Sequence, residues 1–126
     1  MNSKELFTKA KTAATSAQIL LNARDFDGAC NRAYYAMFDA ARAALLSIGD
    51  ADSVLTIKSH SGLISAFSLK LVKVGKVSLD LGKSLNKVED LRLMDDYKGD
   101  LVEEADAAWA VQQATIFVDN LSKSFE

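Results

Sequence analysis

Residues 26–48 read FDGACNRAYYAMFDAARAALLSI, with Asp25 just before them and Gly49 just after. Seven of these residues are alanine, the strongest helix former, and none is proline. Asp25 is a good N-cap, because its carboxylate can accept a hydrogen bond from the exposed amides of a first turn. Gly49 suits the left-handed residue that follows a helix end. The segment therefore reads as one long helix. Turned at about 100° per residue, it sets Phe26, Cys30, Ala33, Met37, Ala41, Ala44 and Ile48 in an apolar stripe. Arg32, Tyr35, Asp39 and Arg42 gather on an opposed face. Such a face is either a surface ladder, each contact worth about 0.2–0.5 kcal/mol, or an interaction and substrate face, since arginine and tyrosine suit both phosphate groups and protein interfaces.

The same periodicity extends in both directions. A preceding helix is expected over Ser3–Ala23, capped by Ser3, with Leu6, Ala10, Ala13, Ala17 and Leu20 inward. Asp50–Lys58 lacks periodicity and reads as the longest loop. A third helix is expected over Ser59–Val74, burying Leu63, Phe67 and Leu71 and ended by Gly75. A fourth, capped by Ser78, carries Leu81, Leu85, Val88 and Leu91. A fifth starts near Leu101, with Glu103 and Glu104 favourably placed in its first turn, and packs through Ala107, Val111, Ala114, Val118 and Leu121. Short connections imply antiparallel neighbours. The expected fold is all-α: an antiparallel up-and-down bundle of about five helices, forming one domain over residues 1–126.

Composition agrees. The chain has 126 residues, 49% of them apolar and 25% charged, with no proline and nineteen alanines, a balance able to bury one core. Its longest apolar run is six residues, Ala33–Phe38, against the roughly 20 that a membrane-spanning helix needs. The first twenty residues lack the apolar block and cleavage site of a secretory signal, so a cytoplasmic location is expected. Cys30 is the sole cysteine and reads as a buried small hydrophobe. With one histidine and one cysteine no zinc site can be assembled, and neither metal nor cofactor is expected. The net charge of −2 is unevenly spread. Six lysines stand against one acid between Lys58 and Lys87, and eight acids against two bases between Glu89 and Asp106. The basic stretch is either a solvated lysine face or a surface for a phosphate backbone.

Three segments carry a resemblance. Asn31-Arg32-Ala33-Tyr34-Tyr35-Ala36-Met37-Phe38, continuing through Ala40-Ala41-Arg42-Ala43-Ala44-Leu45-Leu46, resembles the second helix of the HEPN domain family. Lys58-Ser59-His60-Ser61-Gly62-Leu63-Ile64 is similar to the start of the next helix in one branch of that family. So is Leu81-Gly82-Lys83-Ser84-Leu85-Asn86, leading to Leu91-Arg92 and Asp96-Tyr97. Members of this branch are compact helical proteins often encoded beside a minimal nucleotidyltransferase.

The resemblance implies a toxin-like protein that acts on or binds RNA, works as a homodimer and is paired with a nucleotidyltransferase in a toxin–antitoxin system. Many family members are metal-independent endoribonucleases whose motif is an arginine followed, after a short spacer, by histidine. The chemistry is intelligible: the guanidinium fork grips the scissile phosphate, and an imidazole with a pKa near 6.5 moves protons during attack by the ribose 2′-hydroxyl. Here Arg92 matches the arginine, and no histidine follows it. Asp96 and Tyr97 occupy the expected region, but free aspartate titrates near 3.9 and tyrosine near 10, a poor acid and a poor base at neutral pH. Arg92 and Asp96, four residues apart, also suit an ordinary helical ion pair. The catalytic candidates are thus Arg92 and Asp96, and the substrate-binding candidates Tyr97, Arg32, Tyr35 and His60. Tyr97 is also a candidate for adenylylation by the paired nucleotidyltransferase. His60, the sole imidazole, sits at an expected helix start, where a structural hydrogen bond competes with a binding role. Trp109 reads as a core or dimer-interface anchor. Two readings stand: an endoribonuclease with an atypical motif, or a noncatalytic nucleotide- or protein-binding module.

Overall fold

A computed structural model of the chain describes residues 1–98 and 101–126, with the side chains described up to Met94 and again from Leu101. It contains six α-helices and one π-helical turn among the described residues: α1 (Ser3–Asn22), α2 (Phe26–Ser47), α3 (Ala51–Thr56), α4 (His60–Phe67), the π turn Ser68–Val72, α5 (Leu79–Lys98) and α6 (Glu104–Phe125). The all-α expectation holds, with one helix more than the five expected.

α2 is the axis of the bundle. It packs against α1, α6, α5, α4 and α3, and Ala29, Ala33, Ala36, Ala40, Ala43 and Ala44 are fully buried along it. Alanine keeps the helix thin, so neighbours approach on several sides at once. The two-faced picture of this helix fails for that reason: Asp39, expected on the outer face, is 5% exposed. Its partner is Arg42, 3.3 Å away. Around the axis, Leu6, Phe7, Leu63, Phe67, Leu71, Leu85, Phe117 and Leu121 complete the core, each buried side chain worth about 1.5–3 kcal/mol.

Local chemistry fixes the ends. Asn2, not Ser3, caps α1, accepting from the Glu5 amide at 2.8 Å while Glu5 closes the capping box. Ser3 instead donates through its hydroxyl to the Ala43 carbonyl at 2.9 Å, fastening α1 to α2. The turn between them passes through Arg24 at φ +66°, and the Asp25 amide bonds back to the Leu20 carbonyl at 2.9 Å. Asp25 caps α2 on the Gly28 amide at 2.9 Å, and Gly49 takes φ +85° at the far end.

The expected loop at Asp50–Lys58 holds α3. Six residues are too few to display a period, and α3 is instead held by its neighbours. Asp50 accepts from the Ser53 amide at 3.3 Å, and Lys70 reaches Asp50 at 2.6 Å and the Ser53 hydroxyl at 3.1 Å. The helix expected over Ser59–Val74 is divided into α4 and the π turn, which buries Leu71. Ser59 caps α4 on the Gly62 amide at 3.0 Å. A Cβ at Gly62 would lie 2.7 Å from both the Ile57 methyl and the Ser59 hydroxyl, so any side chain here would have to push one or both of them aside. Ser78 caps α5 by accepting from the Leu81 amide at 3.3 Å. α6 begins at Glu104, later than the expected Leu101. The Val102 amide just before it donates to Asp27 at 2.8 Å, tying this stretch to the start of α2. Among the described residues no helix is long and apolar enough to cross a membrane.

Candidate functional site

Arg92 projects from α5 toward the corner where α2 and α4 meet, and it is only 7% exposed. A guanidinium withdrawn from water that far needs several partners. Glu89, one turn earlier on the same helix, supplies a carboxylate 3.4 Å from Nη2. From α2 the Tyr34 ring lies under the guanidinium, its centroid 4.6 Å from Cζ, and Tyr35 flanks it at 5.9 Å. Cation–π contacts of this kind strengthen as water is excluded. The fourth partner comes from the first turn of α4, where His60 Nδ1 is 3.3 Å from Arg92 Nη2.

That last contact fixes the state of the ring. A guanidinium has only donors, so Arg92 donates and Nδ1 accepts, which puts the imidazole proton on Nε2. The ring is clamped by aromatic neighbours: Phe38 at 4.7 Å, Tyr34 at 5.5 Å and Tyr35 at 5.7 Å, the last edge-on at 87°. Tyr35, His60, Ser61, Glu89, Arg92 and Leu93 line an open cavity of about 480 Å³, large enough for a phosphodiester with part of a nucleotide.

Electrostatics follow from burial. Desolvation pushes the Tyr34 phenol well above its ordinary pKa, and the Glu89 carboxylate pushes the same way. Tyr34 is therefore a neutral platform at any physiological pH, never a base. Its hydroxyl is fully buried and makes no hydrogen bond among the described residues, although Glu89 is near enough to act on it. For Arg92, burial opposes the charge, but Glu89 and the tyrosine oxygens outweigh it and raise the pKa further. The guanidinium is permanently charged.

Of the candidates named from sequence, the structure brings Arg92, Tyr35 and His60 together. It leaves Arg32 off the wall of this cavity, half-buried on α2, where its charge acts on Asp39. The side chains of Asp96 and Tyr97 lie outside the described residues. The ion pair the sequence suggested between Arg92 and Asp96 is therefore not described; Glu89 is the carboxylate described against Arg92. Sequence reading missed Tyr34, Phe38 and Glu89. Glu89 was findable, three residues before Arg92 on one helix face. Tyr34 and Phe38 fell between the two stripes assigned to α2. Trp109 is half-buried, with Lys87 Nζ 5.1 Å over its ring. The six lysines between Lys58 and Lys87 are exposed.

Comparison with known proteins bears on the whole chain. A UPF0332 protein of Thermotoga maritima is 35% identical over 100% of this chain and 96% of its own length. Another, from Gloeobacter violaceus, is 38% identical over 76% of this chain and 72% of its own. A Methanocaldococcus jannaschii protein named "putative toxin" is 33% identical over 89% of this chain and 80% of its own. The profile described as "HEPN domain" matches residues 3–124, and with that match, the helical fold and the buried arginine in view, the chain belongs to the HEPN domain family.

Proposed function

We propose that the chain is the toxin half of a toxin–antitoxin pair and cleaves RNA without a metal, gripping the scissile phosphate with Arg92. The observation that carries this is the placement of Arg92: buried, permanently charged, and yet on the wall of a cavity beside an imidazole. A charge neutralised only for stability would be better placed in water, where it costs nothing to solvate. The name of the Methanocaldococcus jannaschii relative supports the toxin role. In this reading residues 1–126 form a single domain acting as a homodimer in the cytoplasm, with a nucleotidyltransferase as antidote. Asp96 and Tyr97, seven and eight residues after Glu89 in the sequence of α5, are the further residues of the site in this reading.

The test is direct. Purified protein incubated with total RNA in EDTA is expected to yield 2′,3′-cyclic phosphate ends, and Arg92→Ala to reduce them by about 10²-fold or more while helicity persists. RNA left equally intact by both proteins removes the nuclease reading.

A second reading, a noncatalytic nucleotide- or protein-binding module, is favoured by the engagement of Arg92 Nη2 with Glu89 and His60. It predicts that RNA or a mononucleotide binds, shifts the unfolding temperature and is released unchanged. Recovery of a nucleotidyltransferase with the protein from its native host would support the pairing in either case.

A further inference from the structure

The family's arginine–histidine motif is linear, and this chain lacks it after Arg92. Yet three proton-handling or charge-bearing groups, Glu89, His60 and Arg92, line one cavity, and two of them converge on a single nitrogen of the third. Resting on the nuclease reading above, we propose that Glu89 and His60 are the acid–base pair of this site, with Glu89 as the general base and His60, supplied from α4, as the general acid.

The division of labour follows from the geometry. In the resting site Arg92 donates to His60 Nδ1 and to Glu89 Oε2 through the same Nη2. A phosphate entering the cavity competes for that nitrogen, because it can accept two parallel hydrogen bonds from a guanidinium where His60 and Glu89 each take one at Nη2. Once Arg92 turns to the phosphate, Nδ1 loses its donor and can take up a proton, and the Glu89 carboxylate is left with an unused lone pair. Substrate binding thereby creates an imidazolium and a free carboxylate side by side.

The reaction then balances without a co-reactant. The 2′-hydroxyl gives its proton to Glu89 as its oxygen bonds to phosphorus. The bond from phosphorus to the 5′-oxygen breaks, and that oxygen takes a proton from His60. The products are a 2′,3′-cyclic phosphate and a 5′-hydroxyl. Water returns the two side chains to their starting states. Tyr34 stays protonated throughout and serves as the floor under Arg92, while Tyr35 and Phe38 hold the imidazole plane. Arg92, Tyr34 and Tyr35 are the described titratable groups facing the pair.

Two substrates separate the roles. A short oligoribonucleotide has a poor leaving group and needs an acid. A ribonucleoside 3′-(4-nitrophenyl phosphate) expels nitrophenolate without a proton and needs only the base. With both reactions run in EDTA, Glu89→Gln is expected to slow both by about 10²-fold or more, and His60→Gln to slow the oligoribonucleotide by a similar factor and the nitrophenyl ester by only about threefold. The wild-type rate on the oligoribonucleotide should be bell-shaped in pH, with the acidic limb missing in Glu89→Gln and the alkaline limb missing in His60→Gln. His60→Asn and Glu89→Asp provide second variants should either first choice fail to melt cooperatively. Equal losses on both substrates for His60→Gln, or wild-type rates for either variant, would overturn the assignment while leaving an Arg92-dependent nuclease standing. A wild-type protein that cleaves neither substrate removes the nuclease and, with it, this pair.

Discussion

Between α1, α2 and α6 the buried side chains are apolar and many are small: Ala10, Ala13 and Ala17 from one helix and Ala107, Ala110 and Ala114 from another are fully buried, alongside Leu6, Phe7, Phe117 and Leu121. At the corner where α2 meets α4 and α5, an arginine and a tyrosine are buried, with a carboxylate, an imidazole and two further aromatic rings half-buried around them. The first region is held by apolar contact and tolerates no added volume. The second holds a guanidinium and a phenol out of water beside a half-buried carboxylate, and withdrawing such groups from solvent opposes folding. A protein selected for stability alone would fill that corner with leucine. A polar corner built at that cost argues that it is there for what it does.

The contrast yields predictions that can break it. The largest effect is expected in the alanine-lined region: Ala13→Leu should lower stability by about 3 kcal/mol, read by urea unfolding, because helices in contact cannot separate without emptying the space around them. A loss below about 1 kcal/mol would mean the packing there is looser than it looks. Next, the paired replacement Glu89→Leu with Arg92→Met should raise stability by about 2 kcal/mol while eliminating RNA cleavage. A clear loss of stability would mean that the ion pair holds the fold. Smaller still, Tyr34→Phe deletes a buried hydroxyl with no described hydrogen bond and is expected to stabilise by about 1 kcal/mol in thermal melts.

The smallest effect is read as a slope against pH. Burial raises the pKa of Asp39 above its ordinary value, with Lys9, Arg42 and Arg32 opposing the shift. An acid whose folded pKa is raised favours the folded state most when protonated. Its contribution is greatest below the unfolded pKa and declines as pH rises through the folded one. Asp39→Asn should therefore flatten the loss of stability across that window. An unchanged slope would show that Arg42, at 3.3 Å, compensates the charge completely.

The alanine-lined region was the legible one. Alanines at helical spacing, Asp25 and Gly49 marked α2 because each acts through its immediate chain neighbours. α3 was illegible because it is held by Lys70, seventeen residues beyond Ser53. Asn2 displaced Ser3 as cap because Glu5 stands three residues after Asn2, where it can complete the box, whereas Leu6 stands three after Ser3; Ser3 found the Ala43 carbonyl instead. At the site, the sequence supplied Arg92, His60 and Tyr35 as separate candidates. It could not join His60 to Arg92, since their contact depends on how α4 and α5 each dock on α2, which no local pattern encodes. Tyr34 went unnoticed because a helix packed on several sides has no idle face, a condition invisible to a two-stripe reading.

The docking of α4 gives Gly62 a reach beyond its own turn. The missing side chain lets Ser59 and Ile57 close in, and the first residue of that closed turn is His60. A single added methyl would remove no polar group from the cavity and still re-aim the imidazole, so Gly62→Ala is a lesion in alignment, with chemistry expected to fall faster than the melting temperature. Histories of related chains should carry the same signature, in which positions 60, 62 and 92 are kept together or surrendered together.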